Sequence, residues 1–429
     1  MKIINSLAIF ALISVLTACG GAEERKAAYL EKAEKSINAG DLDKARIELK
    51  NVLQIDPKDA QAYFKLGVVF EGQQEFRKAY GSYSKASELD PENLKYHAKI
   101  GQYLLVLAED VDKAREKASL IKSKDSNNID GMMLEAAILL KEKKVAEAKN
   151  ISETVFKSHP ENVDNASTLV MIQVKEGDTE SAINVLGKTL EMNPGNVKVM
   201  GLLASVNFIA KNYDRAEELY KEILAIKPDV YSNHVRLAKF YQQTDDSAKA
   251  ESVLRDAIAM DDDDVSRKIT LIEFVQKTKG SQEAISETES LIEKNKSEGK
   301  LRLALATLQL SENDMEGAIS TYQSAINDFS DDETGISSRV QLAKIYMQKD
   351  NVDSAIKTID DAIEVAPNDA EVNLVKAKIS LSQKDIEQAI ISLRTVIKDD
   401  PANIDAYLLL AASHAANKEN EQASDCLLY

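Results

Sequence analysis

Apolar residues recur along the chain at helical spacing, in pairs of segments. Within residues 60–93, Leu66 and Phe70 lie four residues apart, which places them on one face of a helix. A second apolar face follows a short polar stretch and includes Ala79 and Ala86. This segment therefore predicts two amphipathic helices joined by a turn, each with one face available for packing.

The same pattern repeats along most of the chain, with a period of about 34 residues. Four of the six intervals between successive prolines equal this period, and the proline stands where the second helix of a pair must end. Each repeat also has an alanine at the same position of its second helix. The interval between these alanines is one residue longer before Ala114 and three residues longer before Ala355. The repeated alanines are Ala45, Ala79, Ala114, Ala148, Ala182, Ala216, Ala250, Ala284, Ala318, Ala355, Ala389 and Ala423.

This period, with two helices per unit, small residues at Gly67 and Ala79 and an aromatic residue at Tyr83, resembles the tetratricopeptide repeat (TPR) family. The resemblance implies an all-α, right-handed solenoid (superhelix) of about twelve TPR-type helix-turn-helix repeats. We expect one solenoid over residues 26–429, with the last repeat incomplete. The helix that follows Tyr407 to Ala416 is not a full polar capping helix. We therefore expect either a fragment of a longer array or an end that docks on a partner or on itself.

In a solenoid of this family, one side of each first helix faces a concave groove. Counted from the start of each repeat, the fifth, ninth and twelfth positions are expected to face that groove. An alternative stays open, in which these side chains mostly pack between successive first helices. The candidate groove residues are Phe64, Val68, Met133, Met171, Phe208, Ile269, Leu303 and Leu374.

Some TPR proteins hold a carboxylate terminus with a clamp of Lys and Asn side chains. The positions of that clamp hold Leu30, Glu31 and Glu34 in the first repeat, and Phe64 and Val68 are among those in the second. The clamp is therefore absent from these repeats. A partly apolar groove suits a helical or extended polypeptide instead.

The N-terminal segment has the pattern of an export signal. Lys2 precedes an apolar run that is too short to span a bilayer comfortably as a helix. The run ends in Leu-Thr-Ala-Cys at Cys19, which resembles a bacterial lipobox. We expect residues 1–18 to be a cleaved signal peptide, and residues 19–25 to be a lipidated Cys19 with a short spacer. An ordinary secretory signal with a chance cysteine is the alternative.

Lipidation would attach the mature chain stably to a membrane, since each buried CH₂ contributes about 0.8 kcal/mol. In a Gram-negative cell, Gly20 after the lipidated cysteine favours the outer membrane over the inner one. The expected location is therefore the cell envelope, with the protein anchored by lipid and facing the periplasm.

Charge and composition exclude several classes of function. The chain of 429 residues carries a net charge of -17, which disfavours nucleic-acid binding because that needs a basic face. The four histidines fall in separate repeats, and none has a second metal ligand at helical spacing, so we expect them to pack. We expect no catalytic residue, metal, cofactor or small-molecule substrate, and thus no enzyme. The histidines are His97, His159, His234 and His414.

Four consecutive aspartates, Asp261 to Asp264, suggest calcium at first sight. They lack the alternating ligands and the glycine of an EF-hand loop, and they stand where other repeats have proline before the next helix. A charged turn with a helix N-cap is the preferred interpretation.

The beginning of the repeat region carries a finer resemblance. Tyr29 to Ala33 and Gly40 to Leu53 are similar to the start of the PEP-CTERM/exosortase-system TPR-repeat lipoproteins, a PrsT-like family. That family is associated with exopolysaccharide production and protein sorting. The resemblance implies a periplasm-facing scaffold that binds envelope proteins or peptide segments of such a system. The alternative function is a structural spacer or an outer-membrane assembly accessory lipoprotein without a specific groove ligand.

Overall fold

The structure, a computed structural model, describes the chain from residue 2 to residue 427, with side chains from residue 21 onward. Within this range the chain forms twenty-four helices and no strand, and short turns join the helices. The predicted all-α class is confirmed. Residues 20–25, which the sequence assigned to a spacer, continue the first helix.

The chain divides into two compact units, and the prediction of one uninterrupted array over residues 26–429 stays a prediction. Unit 1 spans Met1–Ile226. Its helices form six hairpins, and each hairpin packs against the next one along the chain. They are α1 (Lys2–Ala39), α2 (Leu42–Ile55), α3 (Ala60–Gly72), α4 (Phe76–Leu89), α5 (Leu94–Val106), α6 (Val111–Lys124), α7 (Ile129–Lys141), α8 (Val145–Ser158), α9 (Val163–Lys175), α10 (Thr179–Met192), α11 (Val197–Ile209) and α12 (Tyr213–Ile226).

Unit 2 spans Lys227–Tyr429 and also consists of hairpins. Its last helix is only 6 residues long and has no buried residue, whereas the other second helices of this unit have 14 residues. The helices are α13 (Tyr231–Gln243), α14 (Ser247–Met260), α15 (Val265–Lys279), α16 (Ser281–Lys294), α17 (Gly299–Ser311), α18 (Met315–Asp328), α19 (Glu333–Gln348), α20 (Val352–Val365), α21 (Ala370–Ser382), α22 (Ile386–Asp399), α23 (Ile404–Ala416) and α24 (Asn420–Asp425).

The repeated alanines stand at matching positions of the second helices. The first eleven, from Ala45 to Ala389, are fully buried, and Ala423 in the short last helix is half-buried. Gly67 shows the same requirement for small size, because a Cβ atom there would lie 2.4 Å from the Cε1 atom of Tyr83. Small residues on one helix thus make room for a large ring on its partner, which explains why these residue types recur.

The turn within each hairpin uses one backbone device. Two residues before the second helix of every described hairpin except one, the chain adopts a positive φ angle, at Gly40 and Gly177 but also at Gln74 and Lys384. The residue that follows is often an aspartate whose carboxylate accepts a backbone N–H of the new helix, as Asp178 does at the start of α10. The left-handed residue reverses the chain and the aspartate begins the next helix.

Near the start of several first helices, a polar side chain reaches back to the carbonyl of the residue six positions earlier. His97 Nε2 lies 2.8 Å from the carbonyl oxygen of Pro91, and Asn373 Nδ2 donates to that of Pro367 at 2.9 Å. These bonds satisfy carbonyl groups that the end of the preceding helix leaves without a partner. His97 therefore has the structural role that the sequence predicted for it.

Most turns within hairpins have three residues, but three turns differ from this length. The α1–α2 turn has two residues. Four residues, 107–110, separate α5 from α6, which accounts for the longer interval before Ala114. One residue, Gly280 with φ +104°, separates α15 from α16. The longer interval before Ala355 has another cause, since α19 has 16 residues whereas most first helices have 13.

Candidate functional site

The eight predicted groove residues do not share one environment. Phe64 and Val68 are half-buried against one core cluster of unit 1, whereas Leu303 and Leu374 pack against two different clusters of unit 2. Of the other four, Met171 is the most open, with 42% of its surface exposed. The structure thus brings Phe64 and Val68 together and places the remaining six in separate surroundings.

Five of these six residues are half-buried, and Met171 is the exception. Phe208 has its ring centroid 5.5 Å from that of Tyr213, and Met133 lines the large cavity described below. Ile269 in α15 is also half-buried. The groove assignments stay predictions, and both expectations, an open groove and packing between first helices, describe part of the set.

An aromatic groove lies beside Phe64 in unit 1. Its ring stacks on Tyr96, with centroids 4.9 Å apart, and Lys95 Nζ stands 5.3 Å from the Phe64 centroid. The groove encloses about 360 Å³ between α1, α3 and α5, and Lys65, which pairs with Glu34, also lines it. This groove combines an aromatic floor with lysines at its edge.

A larger cavity of about 540 Å³ lies along the same unit, and we call it the turn cavity. Met133, Ala136 and Ala137 of α7 form one side, and Gln102 and Tyr103 of α5 form another. The wall is completed from the second, third, fourth and fifth hairpins by Glu71, Phe76, Val106, Leu107, Ser152, Asp164, Asn165 and Thr168. Its volume falls in the range of about 300–1,000 Å³ that ligand sites occupy.

Two hydroxyl groups in the wall of the turn cavity have no hydrogen-bond partner. The Tyr103 side chain is 7% exposed and Ser152 is fully buried, and both oxygens are unpaired. Burial, with a smaller contribution from the nearby Glu71 carboxylate, raises the pKa of Tyr103 to about 12, so its phenol stays protonated at neutral pH. A protonated phenol and a serine can each donate or accept a hydrogen bond, but both oxygens lie beneath the surface of the wall, so a partner in the cavity reaches them only when neighbouring side chains shift.

The charged residues of this wall are carboxylates. Glu71 accepts a hydrogen bond from Tyr83 Oη at 2.6 Å and pairs with Lys99 Nζ at 3.0 Å. Asp164 pairs with Lys198 Nζ at 2.7 Å. Burial of Tyr83 and its bond to Glu71 raise the pKa of Tyr83. The neighbouring carboxylate is thus held in place at the cavity.

Sequence reasoning found only Met133 among the residues of the turn cavity. One signal points to this region: the interval before Ala114 is one residue longer, and the α5–α6 turn that holds the extra residue begins with Leu107 of the cavity wall. The hydroxyl groups gave no signal at all, since a tyrosine and a serine at helical positions look like ordinary packing residues.

The remaining candidates take structural roles or lie outside the described side chains. The carboxylate of Asp264 accepts the N–H of Ser266 and caps α15, so the aspartate run is a charged turn with an N-cap, as predicted. Among the described residues, no group of three or more His, Cys, Asp or Glu side chains could hold a metal ion. The side chain of Cys19 lies outside the described residues, as does the predicted signal peptide. Within the described residues, no helix has both the length and the apolar character needed to cross a membrane.

Sequence comparison finds the repeat family along much of the chain. Two family models described as "Tetratricopeptide repeat" match residues 173–229 and 207–268, and residues 340–404. A "Tetratricopeptide repeat-like domain" matches residues 270–367, and a "TPR repeat" matches residues 37–74.

Two relatives match shorter stretches. The chain is 31% identical over 84 residues to the type IV pilus assembly protein PilF of Pseudomonas aeruginosa, which covers 20% of this chain and 33% of PilF. It is 27% identical over 115 residues to Superkiller complex protein 3 of Homo sapiens, which covers 27% of this chain and 7% of that protein. The chain thus spans a third or less of the curated relatives it matches.

Solved structures align with most of this chain at low sequence identity. A chain of the Naa15/Naa10 complex bound to HypK-THB aligns with 92% of this chain and 62% of its own length, at 19% identity and a TM-score of 0.49. Yeast Tom70 aligns with 93% of this chain and 97% of its own, at 14% identity and a TM-score of 0.40. At these TM-scores and identities the likeness carries no argument about this chain.

Proposed function

Because the chain is a tetratricopeptide repeat protein, we propose that it is a lipid-anchored scaffold that binds proteins of an envelope assembly or exopolysaccharide-export system. The proposal includes the PEP-CTERM sorting systems that the sequence resemblance implies. One observation carries it: unit 1 holds an open cavity of about 540 Å³ whose wall has two unpaired hydroxyl groups. Buried polar groups normally have a hydrogen-bond partner, so two unpaired hydroxyl groups beside an open cavity favour a binding role for that cavity.

The location at a membrane rests on the N-terminal pattern. The lipobox at Cys19 supports an anchor, and Gly20 supports the outer membrane facing the periplasm. The relative in Pseudomonas aeruginosa is named for the assembly of type IV pili, an envelope structure, although it matches only 84 residues. This likeness supports an envelope role without selecting between pilus, polysaccharide and sorting systems.

The anchor has its own test. Cys19→Ser removes the thiol that would be lipidated, so we expect the variant to leave the membrane fraction and to lose incorporation of radiolabelled palmitate. Release to a soluble fraction with the cell envelope intact supports the proposal. A variant that stays in the membrane fraction to the same extent contradicts lipid anchoring.

Partner binding is tested by pull-down from an envelope extract with the chain lacking residues 1–19 as bait. We expect enrichment of envelope proteins, and we expect Met171→Glu to reduce that enrichment because it places a charge on an exposed position of the first helix α9. Met192→Glu is the matched control, since Met192 is also exposed and ends the second helix α10. If no envelope protein is enriched, the scaffold proposal fails.

A second candidate function is a structural spacer, and the positions of Leu303 and Leu374 favour it. Both were expected to face a groove, yet both pack against core clusters of unit 2. A spacer predicts that removing two whole repeats changes function through length alone. It also predicts that a charge at Met171 has no effect in vivo, which separates it from the scaffold.

A further inference from the structure

The turn cavity has an apolar edge that water meets directly. Val106 is 71% exposed, Leu107 is 50% exposed and Phe76 is 44% exposed, and all three belong to the wall of the cavity. Val106 ends α5 and Leu107 begins the α5–α6 turn, which has one residue more than the usual three. A contiguous apolar edge around an opening is a feature of interaction sites.

The unpaired hydroxyl groups limit what can fill the cavity. Tyr103 Oη and Ser152 Oγ are buried without a partner, which costs about 1–3 kcal/mol for each group until one is supplied. An acyl chain has no donor or acceptor to offer them. A polypeptide supplies a backbone N–H and C=O at every residue except proline, together with apolar side chains for the rest of the wall.

The charges of the wall add a third requirement. Glu71 and Asp164 each engage one lysine of the protein, at 3.0 Å and 2.7 Å, and a carboxylate can accept about four hydrogen bonds. No lysine or arginine stands among the residues that line the cavity. The whole chain carries a net charge of -17, which also attracts a basic ligand.

We propose that the turn cavity binds an apolar peptide segment of a partner protein that carries a lysine or arginine beside its apolar residues. This proposal rests on the scaffold function proposed above and names the class of partner segment. Apolar side chains fill the space between Met133 and Tyr103, and Val106 and Leu107 cover them. The peptide backbone bonds to the two hydroxyl groups, and its basic side chain meets the two carboxylates of the wall.

The probe is a phage-displayed library of random peptides, selected on the purified full chain. We expect the selected peptides to combine aromatic or aliphatic residues with at least one lysine or arginine. Binding by the chosen peptides is then measured by fluorescence anisotropy with each variant of the chain. Selection of acidic peptides, or of none, contradicts the proposal, and so does displacement of a selected peptide by equimolar oleate.

Val106→Ser combined with Leu107→Ser removes the apolar edge at exposed positions where the fold does not depend on it. We expect at least a tenfold loss of peptide affinity. Ile209→Ser is the matched control, because Ile209 is 52% exposed and ends α11 as Val106 ends α5. Equal affinities of the edge variant and the control overturn the proposal.

Tyr103→Phe and Ser152→Ala test the hydroxyl groups without opening the core. Each removes an oxygen that has no partner in the free protein, so thermal stability should stay the same or rise, while peptide affinity falls about fivefold. Asp164→Asn should lower affinity for basic peptides only, with Asp405→Asn of α23 as its control. Unchanged affinity in all three variants contradicts the proposal.

The outcome separates this inference from the scaffold function. If the edge and hydroxyl variants still capture envelope proteins from an extract while selected peptides ignore the turn cavity, the cavity proposal fails and the scaffold function stands. If the unaltered chain captures no envelope protein, the scaffold function fails whatever the peptides do.

Discussion

The two units differ in three hairpins of unit 2, which contact the preceding turn through a cation, although Asn233 and Asn373 of the same unit make this contact through an amide. In unit 1, neutral or weakly basic groups reach the preceding turn or helix, as His97 bonds to Pro91 and Asn165 Nδ2 donates to the Ser152 carbonyl at 2.9 Å. In unit 2, cations do this in three successive hairpins. Each reaches a backbone carbonyl oxygen, and the pairs are Lys268 with Asp262, Arg302 with Lys296 and Arg339 with Ser330.

Two of these three cations, Lys268 and Arg302, pair with carboxylates of the same unit. Lys268 is fully buried and pairs with Glu298 at 2.6 Å. Arg302 pairs with Asp328 at 2.9 Å, and its guanidinium stands 4.9 Å from the centroid of Phe329. Two cavities in this unit measure about 310 and 240 Å³, smaller than the 540 Å³ of the turn cavity. The contrast teaches that three hairpins of unit 2 hold the preceding turn with a buried or half-buried cation, whereas the matching contacts of unit 1 use uncharged or weakly basic groups. Buried hydroxyl groups without a partner occur in both units, at Ser152 and at Ser338, and those of Tyr103 and Ser152 belong to residues that line the turn cavity.

The largest expected effect is on the buried ion pair of unit 2. Glu298→Ala leaves Lys268 fully buried without its nearest carboxylate, which should destabilise the unit by about 3–5 kcal/mol. Lys198→Ala breaks the exposed pair with Asp164 in unit 1 and should cost about 1 kcal/mol or less. Hydrogen exchange of α15 and α17, compared with α9 and α11, measures both changes. Similar losses in the two variants would remove the contrast between the units.

A smaller effect is expected where unit 1 depends on small residues. Gly67→Ala forces a Cβ atom against the Tyr83 ring and should cost about 1–3 kcal/mol. Gly81→Ala is the control on the partner helix α4, since a Cβ there meets nothing within 4 Å. Because alanine favours a helix interior, that control should gain about 0.5–1 kcal/mol. Urea denaturation followed by circular dichroism tests both signs, and a cost at Gly81 would refute the packing argument.

Acidification should affect unit 2 through His234. Burial lowers the pKa of His234 below its ordinary value of 6.5. The Arg267 charge lowers this pKa further, whereas a hydrogen bond to the Val230 backbone and the Asp256 charge raise it to smaller extents than burial lowers it. The unfolded chain then binds a proton that the folded unit does not, so stability is complete above pH 6.5 and falls as the pH drops below that value.

The test compares melting temperatures at pH 7 and pH 5. His234→Gln removes the group that takes up the proton on unfolding. The melting temperature of the variant should therefore fall less between pH 7 and pH 5 than that of the unaltered chain. An identical fall in the variant would show that other groups govern acid sensitivity.

The smallest effect is expected equally in both units. Gln74 in unit 1 and Lys384 in unit 2 both hold positive φ angles at the hairpin turn. Glycine adopts this conformation without a steric cost, so Gln74→Gly and Lys384→Gly should each stabilise the protein by about 0.5–1 kcal/mol. Differential scanning calorimetry checks both. A loss of stability at either turn would mean that its side chain makes a contact that matters more than the backbone.

The fold could be predicted well because the repeat depends on size and periodicity. The repeat period located the alanines that prove fully buried, and the aspartates that cap the helices stand at the turns where capping residues are preferred. Asp264, interpreted as an N-cap, has that role. Such features follow from local chemistry that each repeat carries in itself.

The candidate site was less accessible from the sequence. The groove positions came from one periodic rule, yet Phe64 stacks on Tyr96 and Leu374 packs into a core, because the neighbouring repeat decides how far each side chain is covered. The wall of the turn cavity combines Leu107 of the longer α5–α6 turn with residues of several hairpins, and the meeting of these side chains depends on three-dimensional context. Departures from the period therefore carry more functional information than the period itself.

The central claim is that unit 1 binds a protein segment along its first helices while unit 2 provides structure. Hydrogen–deuterium exchange of the full chain, with and without an envelope protein captured by pull-down, tests this most directly. We expect the partner to slow exchange in α5, α7 and α9 of unit 1, and to leave α15, α17 and α19 of unit 2 unchanged. Protection confined to unit 2, or absent from both units at saturating partner, would contradict the account.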